Sequence, residues 1–168
     1  AKAFETRGGV LYCGSFSKTL SPGLRVGWAV PGRFRDRVEY LKYATSSSTP
    51  AWPGLAVADF LERGGYDRYL RRARGDYARA VDRVSRAVAR HFPPGTRQTR
   101  PAGGFVLWLE LPEAVDALAL YRRALNNGIS VAPGPMLSPT GKFRNHLRLN
   151  CAQPWDARLE RALARLGE

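Results

Sequence analysis

The sequence predicts an α/β fold, because short apolar runs typical of strands alternate along it with amphipathic helical segments. The strongest helical pattern runs from Tyr66 to Val88, with apolar residues every three or four positions and arginines and aspartates between them. The strongest strand pattern is GGFVLWLELP, residues 103–112. Hydrophobic residues make up 44% of the chain and charged residues 24%, which is typical of a globular protein. No apolar run approaches the roughly 20 residues that span a bilayer.

The first third of the sequence contains two strand patterns and one helical pattern. GGVLYCGS (8–15) and LRVGWAVPG (24–32) are apolar and bounded by glycine or proline, so each predicts a buried strand. Residues 33–44 carry apolar side chains at roughly helical spacing, which predicts a helix. The Ser- and Pro-rich TSSSTPAWPG (45–54) breaks that pattern and predicts a joint between two lobes.

Helices and strands continue to alternate after this joint. A short helix over residues 55–62 ends before Gly64-Gly65, and FPPG (92–95) ends the long helix because proline cannot continue the hydrogen-bond ladder. The later elements, in order, are the strand at 103–112, a helix at 115–126 that Asn127-Gly128 ends, a strand at 129–133, a turn-rich loop at 134–145, a strand at 146–152 and a closing helix from Pro154. The apolar face of that last helix consists of Trp155, Leu159, Ala162, Leu163 and Leu166.

The chain is strongly basic, with 27 Lys and Arg against 14 Asp and Glu and a formal net charge of +13. Most of the excess is arginine within residues 63–100, and no aromatic-basic strip or nucleic-acid recognition motif accompanies it. We therefore favour a solvated helix face. An independent nucleic-acid-binding module, with affinity that falls steeply with salt, is the alternative.

The two cysteines, Cys13 and Cys151, lie far apart in the sequence and in or beside apolar, strand-like runs. This placement predicts two buried free thiols, because cysteine prefers protein interiors. His91 and His146 do not form a ligand cluster with them, so we expect no metal site.

The stretch GSFSKTLSPGLRVGW, residues 14–28, places Lys18 in a small-residue loop between the first two strands. A nucleotide-binding phosphate loop needs Gly immediately before Lys, whereas Ser17 precedes Lys18 here, so that motif fails. A lysine that apolar neighbours desolvate has a lowered pKa, and its neutral amine can attack a carbonyl cofactor. The loop is therefore a candidate covalent cofactor site.

A phosphate on such a cofactor would need hydroxyl and guanidinium donors close to Lys18. Ser15, Ser17 and Thr19 can supply hydroxyls, and Arg25 can supply a planar, permanently charged fork. Pro22 and Gly23 predict a turn that brings Arg25, at the start of the second strand, back toward the lysine. The alternative is a solvated lysine in a Ser-rich turn, with Arg25 paired to a carboxylate.

SFSKTLSPGLRVGW resembles the cofactor-lysine signature of the fold-type I, pyridoxal-phosphate-dependent aminotransferases of class I and II. The resemblance implies that Lys18 is the catalytic residue, which binds pyridoxal 5'-phosphate covalently and shuttles the proton in transamination. It also implies that Ser15, Ser17 and Arg25 hold the cofactor phosphate.

GGFVLWLELP and NNGISVAPGPMLSPTGKFRNHLRLNCA are similar to the small-domain segments of the same branch. This similarity implies that Arg148, in HLRLN, binds the α-carboxylate of a substrate through two parallel hydrogen bonds. The alternative for Arg148 is an edge-strand arginine that faces water. Gly104 lies where the family brings its backbone close to the active site, although a glycine at the start of a strand explains it equally well.

APGPMLSPTGKFRNHLRLN and YDRYLRRARGDYARAVDRV most resemble the aminotransferase-like domain of the MocR subfamily of GntR transcriptional regulators. That resemblance implies a cytoplasmic, homodimeric effector domain for an amino-acid or amine ligand. It implies DNA binding only through an amino-terminal winged helix that this sequence does not include. The alternative is a fragment of a class I/II aminotransferase of the 2-aminoadipate or aromatic type.

The resemblance covers only the carboxy-terminal part of the family's domain, so we expect a piece of a longer protein. Residues 1–48 would be the end of the large cofactor-binding domain and residues 49–168 the small α+β domain. The family's residues that bind the cofactor ring precede the lysine, whereas Asp36 and Asp59 follow it. We therefore expect weak cofactor binding and no transamination by this chain alone. Its two unpartnered strands are expected to be covered by self-association or to be poorly ordered.

Overall fold

A computed structural model describes residues 2–168 and contains both helices and strands in the alternating order that the sequence predicts. The chain divides into two compact units, one that ends at Leu70 and one that comprises Arg71–Glu168. Each unit is described below by itself. Within residues 2–168, no helix is both long enough and apolar enough to cross a lipid bilayer.

The first unit contains a two-stranded antiparallel hairpin and two helices. Strand β1 (Tyr12–Ser15) pairs with β2 (Gly27–Val30), so that Tyr12 faces Val30 and Ser15 faces Gly27. Helix α1 (Arg35–Ser46) follows a 3-10 turn, and α2 is Ala51–Glu62. Helix α2 starts four residues earlier than predicted, because Pro53 lies in the first turn, where a backbone N–H has no helical partner.

The prediction that both hairpin strands are buried is wrong for this chain. All four residues of β2 and three of the four residues of β1 are exposed. The reason is topological, since β1 and β2 pair only with each other among residues 2–168 and no further layer covers them. The strand at 24–32 is also shorter than predicted, because Pro22–Leu24 forms a 3-10 turn and the following Arg25 is left-handed.

The second unit contains a four-stranded antiparallel sheet in the order β3-β4-β6-β5. These strands are Arg97–Gln98 (β3), Val106–Glu110 (β4), Ala132–Pro133 (β5) and His146–Asn150 (β6). Three helices accompany the sheet: α3 (Gly65–His91), which begins before the unit boundary, α4 (Ala117–Asn126) and α5 (Ala157–Gly167). Each predicted strand of this region exists, with shorter bounds than its apolar run.

The core of the second unit lies between one face of the sheet and the helices. Alternate residues of β4 and β6 are buried there, namely Leu107, Leu109, Leu147 and Leu149. The helices contribute Val84, Ala87, Val88, Ala117, Leu120, Ala124, Leu163 and Leu166. Of the apolar face predicted for the closing helix, Leu163 and Leu166 are buried in this cluster, and Leu159 and the preceding Trp155 pack against it.

Two aspartates begin the helices that follow β4 and β6. The Asp116 carboxylate accepts from the backbone N–H of Leu118 (2.9 Å) and Ala119 (3.0 Å), and Asp156 accepts from Leu159 (2.7 Å). The Ala119 hydrogen bond and the Arg144 guanidinium, 3.2 Å away, lower the pKa of Asp116. At the other end of α4, Gly128 adopts φ +72° and ends the helix as predicted.

The two cysteines have opposite surroundings. Cys151 follows β6 and is fully buried, and burial raises the pKa of its thiol to about 11. Cys13 lies in the exposed hairpin, so the prediction that it is buried is wrong for the reason given for β1. Both are free thiols, and no group of His, Cys, Asp and Glu among residues 2–168 is arranged to hold a metal ion.

We predict that an aromatic disulfide reagent at mildly alkaline pH labels Cys13 rapidly and Cys151 only after unfolding. The thiolate is the nucleophile, and a thiol with a pKa of about 11 stays protonated at that pH, inside a core that the reagent cannot enter. Cys13→Ser should abolish the rapid phase, and Cys151→Ala should retain it. Rapid labelling of Cys151 in the folded chain would contradict this description of the core.

Candidate functional site

The lysine loop, residues 16–26, joins β1 to β2 and has a defined backbone. Phe16 N–H donates to the Val26 carbonyl at 3.0 Å, which extends the hairpin by one step. The Phe16 carbonyl accepts from Leu20 N–H (2.8 Å) and Ser21 N–H (3.1 Å), so Lys18 lies inside a closed turn. Lys18 is exposed. Residues 2–70 therefore do not supply the apolar surroundings that the sequence predicts for this lysine.

Arg25 returns toward the lysine turn, as the sequence predicts. After the 3-10 turn at Pro22–Leu24, Arg25 adopts the left-handed conformation with φ 53° and ψ 33°. Its Nη1 lies 3.5 Å from Ser17 Oγ and 3.5 Å from the Pro22 carbonyl. Arg25 precedes β2, which begins at Gly27, rather than opening that strand. The loop therefore brings together the serine and the arginine that are predicted to bind phosphate.

The donors of the loop have no anionic partner in the described part of the chain. No Asp or Glu occurs between Thr6 and Arg35 in the sequence. Neither Lys18 nor Arg25 forms an ion pair with any of residues 2–168, so the alternative in which Arg25 pairs with a carboxylate is not found there. Serine hydroxyls and a guanidinium on one short loop fit the phosphate of a pyridoxal phosphate, and the lysine amine, once deprotonated, fits its aldehyde.

Two tyrosines of α3 hold the lysine loop, a role that their apolar spacing in the sequence does not predict. The Tyr66 hydroxyl donates to Thr19 Oγ1 (3.0 Å), and the Tyr69 hydroxyl donates to the Leu20 carbonyl (3.3 Å). The Thr19 hydroxyl is thus already hydrogen-bonded. Helical spacing assigns both tyrosines to the apolar face of α3. The sequence feature that could have indicated this role is a tyrosine on an apolar helix face, because a partly buried phenol usually needs a hydrogen-bond partner.

The neck of the loop requires two glycines. A Cβ on Gly14 would overlap the indole ring of Trp28, the residue that faces it on β2. A Cβ on Gly27 would lie 2.8 Å from the Gly14 carbonyl oxygen. The Trp28 ring packs against Phe16, with ring centroids 5.1 Å apart. These contacts explain why small residues flank the lysine turn on both strands.

Arg148 lies in the second unit, in the middle of β6. It is paired with Trp108 on β4 and with Ala132 on β5, and its side chain is exposed. Trp108 packs with Phe143 and His146, each with centroids 5.4 Å away. Arg148 forms no ion pair within residues 2–168, which leaves its guanidinium available for a carboxylate. Gly104, just before β4, has φ +80°, which accounts for a glycine there without a ligand.

Comparison with known proteins finds the family model "Aminotransferase class I and II", which matches residues 2–166. The HTH-type transcriptional regulators YjiR and YdcR of Escherichia coli are 43% and 39% identical to the chain, over 99% and 100% of its length. The crystal structure of the alpha-aminoadipate aminotransferase LysN of Thermus thermophilus, complexed with N-(5'-phosphopyridoxyl)-L-leucine, has a TM-score of 0.87 at 35% identity over 95% of the chain.

The chain is much shorter than these proteins. It spans 35% of YjiR, 36% of YdcR and 41% of the LysN chain.

We predict that Tyr66→Phe loosens the lysine loop without unfolding the first unit. The variant removes one hydrogen bond, worth about 0.5–1.5 kcal/mol, so amide exchange at Leu20 and Ser21 should accelerate by up to about tenfold. Hydrogen–deuterium exchange with mass spectrometry measures this change. Tyr40→Phe, at an exposed position of α1, is the control and should leave the loop unchanged. Identical loop exchange in Tyr66→Phe and the unaltered chain would rule out the anchoring role.

Proposed function

This chain belongs to the class I and II aminotransferase family, and we propose that it is the carboxy-terminal part of the pyridoxal-phosphate-binding, effector-sensing domain of a GntR-type transcriptional regulator of the MocR subfamily. Members of this family use pyridoxal phosphate as cofactor. The observation that carries the proposal is the closed lysine loop, in which Arg25 lies against Ser17 beside an unpaired Lys18. The regulators among the relatives favour a sensor over an enzyme.

In this proposal each loop residue has a distinct task. The Lys18 amine binds the cofactor covalently and holds or moves the proton during ligand exchange. The Arg25 guanidinium and the Ser17 hydroxyl, 3.5 Å apart, bind the phosphate together with Ser15 at the end of β1. The bound cofactor would supply an electron-withdrawing ring. The rest of the domain would desolvate Lys18, which is exposed in this chain.

The proposal also assigns the remaining parts of the chain. Residues 1–48 close the large cofactor-binding domain, and residues 49–168 form the small domain, where Arg148 binds the α-carboxylate of an amino-acid ligand. Tyr12, Trp28 and Val30 on the hairpin are 51%, 43% and 46% exposed, which supports their cover by other protein, including a second subunit of a homodimer. The regulator would be cytoplasmic, with DNA bound by an amino-terminal winged helix.

A second candidate is a fragment of an aminotransferase acting on 2-aminoadipate or an aromatic amino acid. The similarity to the aminoadipate enzyme supports it. The residues that precede this chain in its full-length protein distinguish the two candidates. A winged-helix segment would identify the regulator, and a short arm before the large domain would identify the enzyme.

We predict that pyridoxal phosphate labels the full-length protein at Lys18 after borohydride reduction. Peptide mapping should find the pyridoxyl group on Lys18, and Lys18→Ala should abolish it. Lys42→Ala is a matched control, because Lys42 is an exposed lysine of α1 that donates to Thr49, and this variant should label normally. Arg25→Gln should weaken cofactor affinity by about tenfold or more, as expected for loss of a charged phosphate contact. A label that persists in Lys18→Ala would refute the assignment of this lysine.

We predict that Arg148→Ala weakens the response to an amino acid and spares cofactor binding. With L-2-aminoadipate as probe, the spectral titration of the cofactor-loaded full-length protein should shift by about tenfold or more, since a bidentate charged contact is lost. The same titration with 5-aminopentanoate, which lacks the α-carboxylate, should change little. Equal loss of cofactor and amino-acid binding would instead indicate a structural role for Arg148.

A further inference from the structure

Five arginines of α3 within the second unit lie along one side of the helix. They are Arg72, Arg79, Arg83, Arg86 and Arg90, and we call them the arginine stripe. Their spacings of seven, four, three and four residues place them within an arc of about 60° on an α-helix. The stripe extends over about 27 Å of the helix axis. All five residues are exposed.

The stripe has no part in packing the core. The residues of α3 that are buried against the sheet are Val84, Ala87 and Val88, on another side of the helix. The arginines of the stripe therefore keep their charges in water, with no desolvation penalty.

The ion pairs of the stripe are weak and exposed. Arg72 lies 3.8 Å from Asp76, which also pairs with Arg79, and Arg86 lies 2.8 Å from Asp82. The side chains of Asp76 and Asp82 are 51% and 59% exposed, and such pairs contribute only a few tenths of a kcal/mol. A stronger anion can replace these carboxylates.

The carboxylates near the stripe neutralise its arginines to different extents. Arg90 lies 3.6 Å from Glu160 of α5. Arg83 forms no ion pair with any residue that the structure describes. Helix α3 as a whole carries eight arginines and three aspartates, and no lysine. All of this positive charge is carried by guanidinium groups, each of which can donate two parallel hydrogen bonds to the oxygens of one phosphate.

We propose that the arginine stripe binds the phosphate backbone of duplex DNA, as a contact surface additional to the winged helix. The choice of DNA rests on the proposed function, in which the regulator is held on a duplex. The major groove of B-DNA is about 12 Å wide, so a straight stripe of about 27 Å laid across it reaches phosphates on both of its sides. Contacts to phosphate oxygens position a protein on the duplex and carry no sequence information, so we expect the stripe to bind independently of sequence.

The experiment measures how salt weakens binding of the full-length protein to a long mixed-sequence duplex, by fluorescence anisotropy. Arg83→Gln/Arg86→Gln should lower the slope of log K against log salt by about 1–2, because each lost phosphate contact removes about 0.9. At low salt its affinity should fall by about tenfold. Arg122→Gln/Arg123→Gln, on the exposed side of α4, removes the same charge elsewhere and should leave the slope nearly unchanged.

The possible outcomes are distinguishable. An unchanged slope in the Arg83/Arg86 variant, or an equal loss in the Arg122/Arg123 control, would overturn the stripe while the regulator stands. Failure of the unaltered protein to bind duplex at any salt would overturn the regulator as well. Arg83→Lys/Arg86→Lys keeps the charge and should retain the slope, and a lysine variant that loses the slope as the glutamine variant does would also overturn the stripe.

Discussion

Five residues of β4 pair one to one with five residues of β6, from Val106 opposite Asn150 to Glu110 opposite His146. Because side chains alternate across a strand, this register places the buried leucines on the helix side and Arg148 with Trp108 on the other. A slip by one residue would expose Leu147 and Leu149 and bury Arg148 in the core. Burial of an unpaired charge is strongly unfavourable, so this register is excluded. The packing of four leucines therefore fixes where the candidate carboxylate-binding group lies.

The alternation of elements and the residues of the lysine loop were predictable because each depends on local sequence. Apolar periodicity identifies α3 to α5 and the strands β4 and β6, and Asn127-Gly128 ends α4 through a conformation that glycine favours. The turn at Pro22-Gly23 likewise follows from residue type, so the return of Arg25 to Ser17 could be expected. Functional groups that lie within one short segment can therefore be predicted from the sequence.

Features that depend on distant residues were not predictable in this way. The hydroxyls of Tyr66 and Tyr69 reach Thr19 and Leu20 across almost fifty positions of sequence. Burial of β1 and β2 was wrongly expected from their apolar composition, since composition does not reveal which strands lie beside them. The exposure of Cys13 has the same origin. An apolar pattern shows that a segment is suited to burial. Whether the segment is buried depends on the elements that pack beside it in the fold.

The left-handed backbone of Arg25 has a consequence for ligand affinity. For a residue with a side chain, this conformation costs about 1–2 kcal/mol relative to ordinary helical geometry. Here the 3-10 turn before it and the paired neck of the hairpin impose it before any ligand arrives. In the proposed site this cost would therefore fall on folding of the loop and not on phosphate binding. A backbone that is already fixed loses little further conformational entropy when an anion binds, so in the proposed site the loop would act as a preorganised receptor.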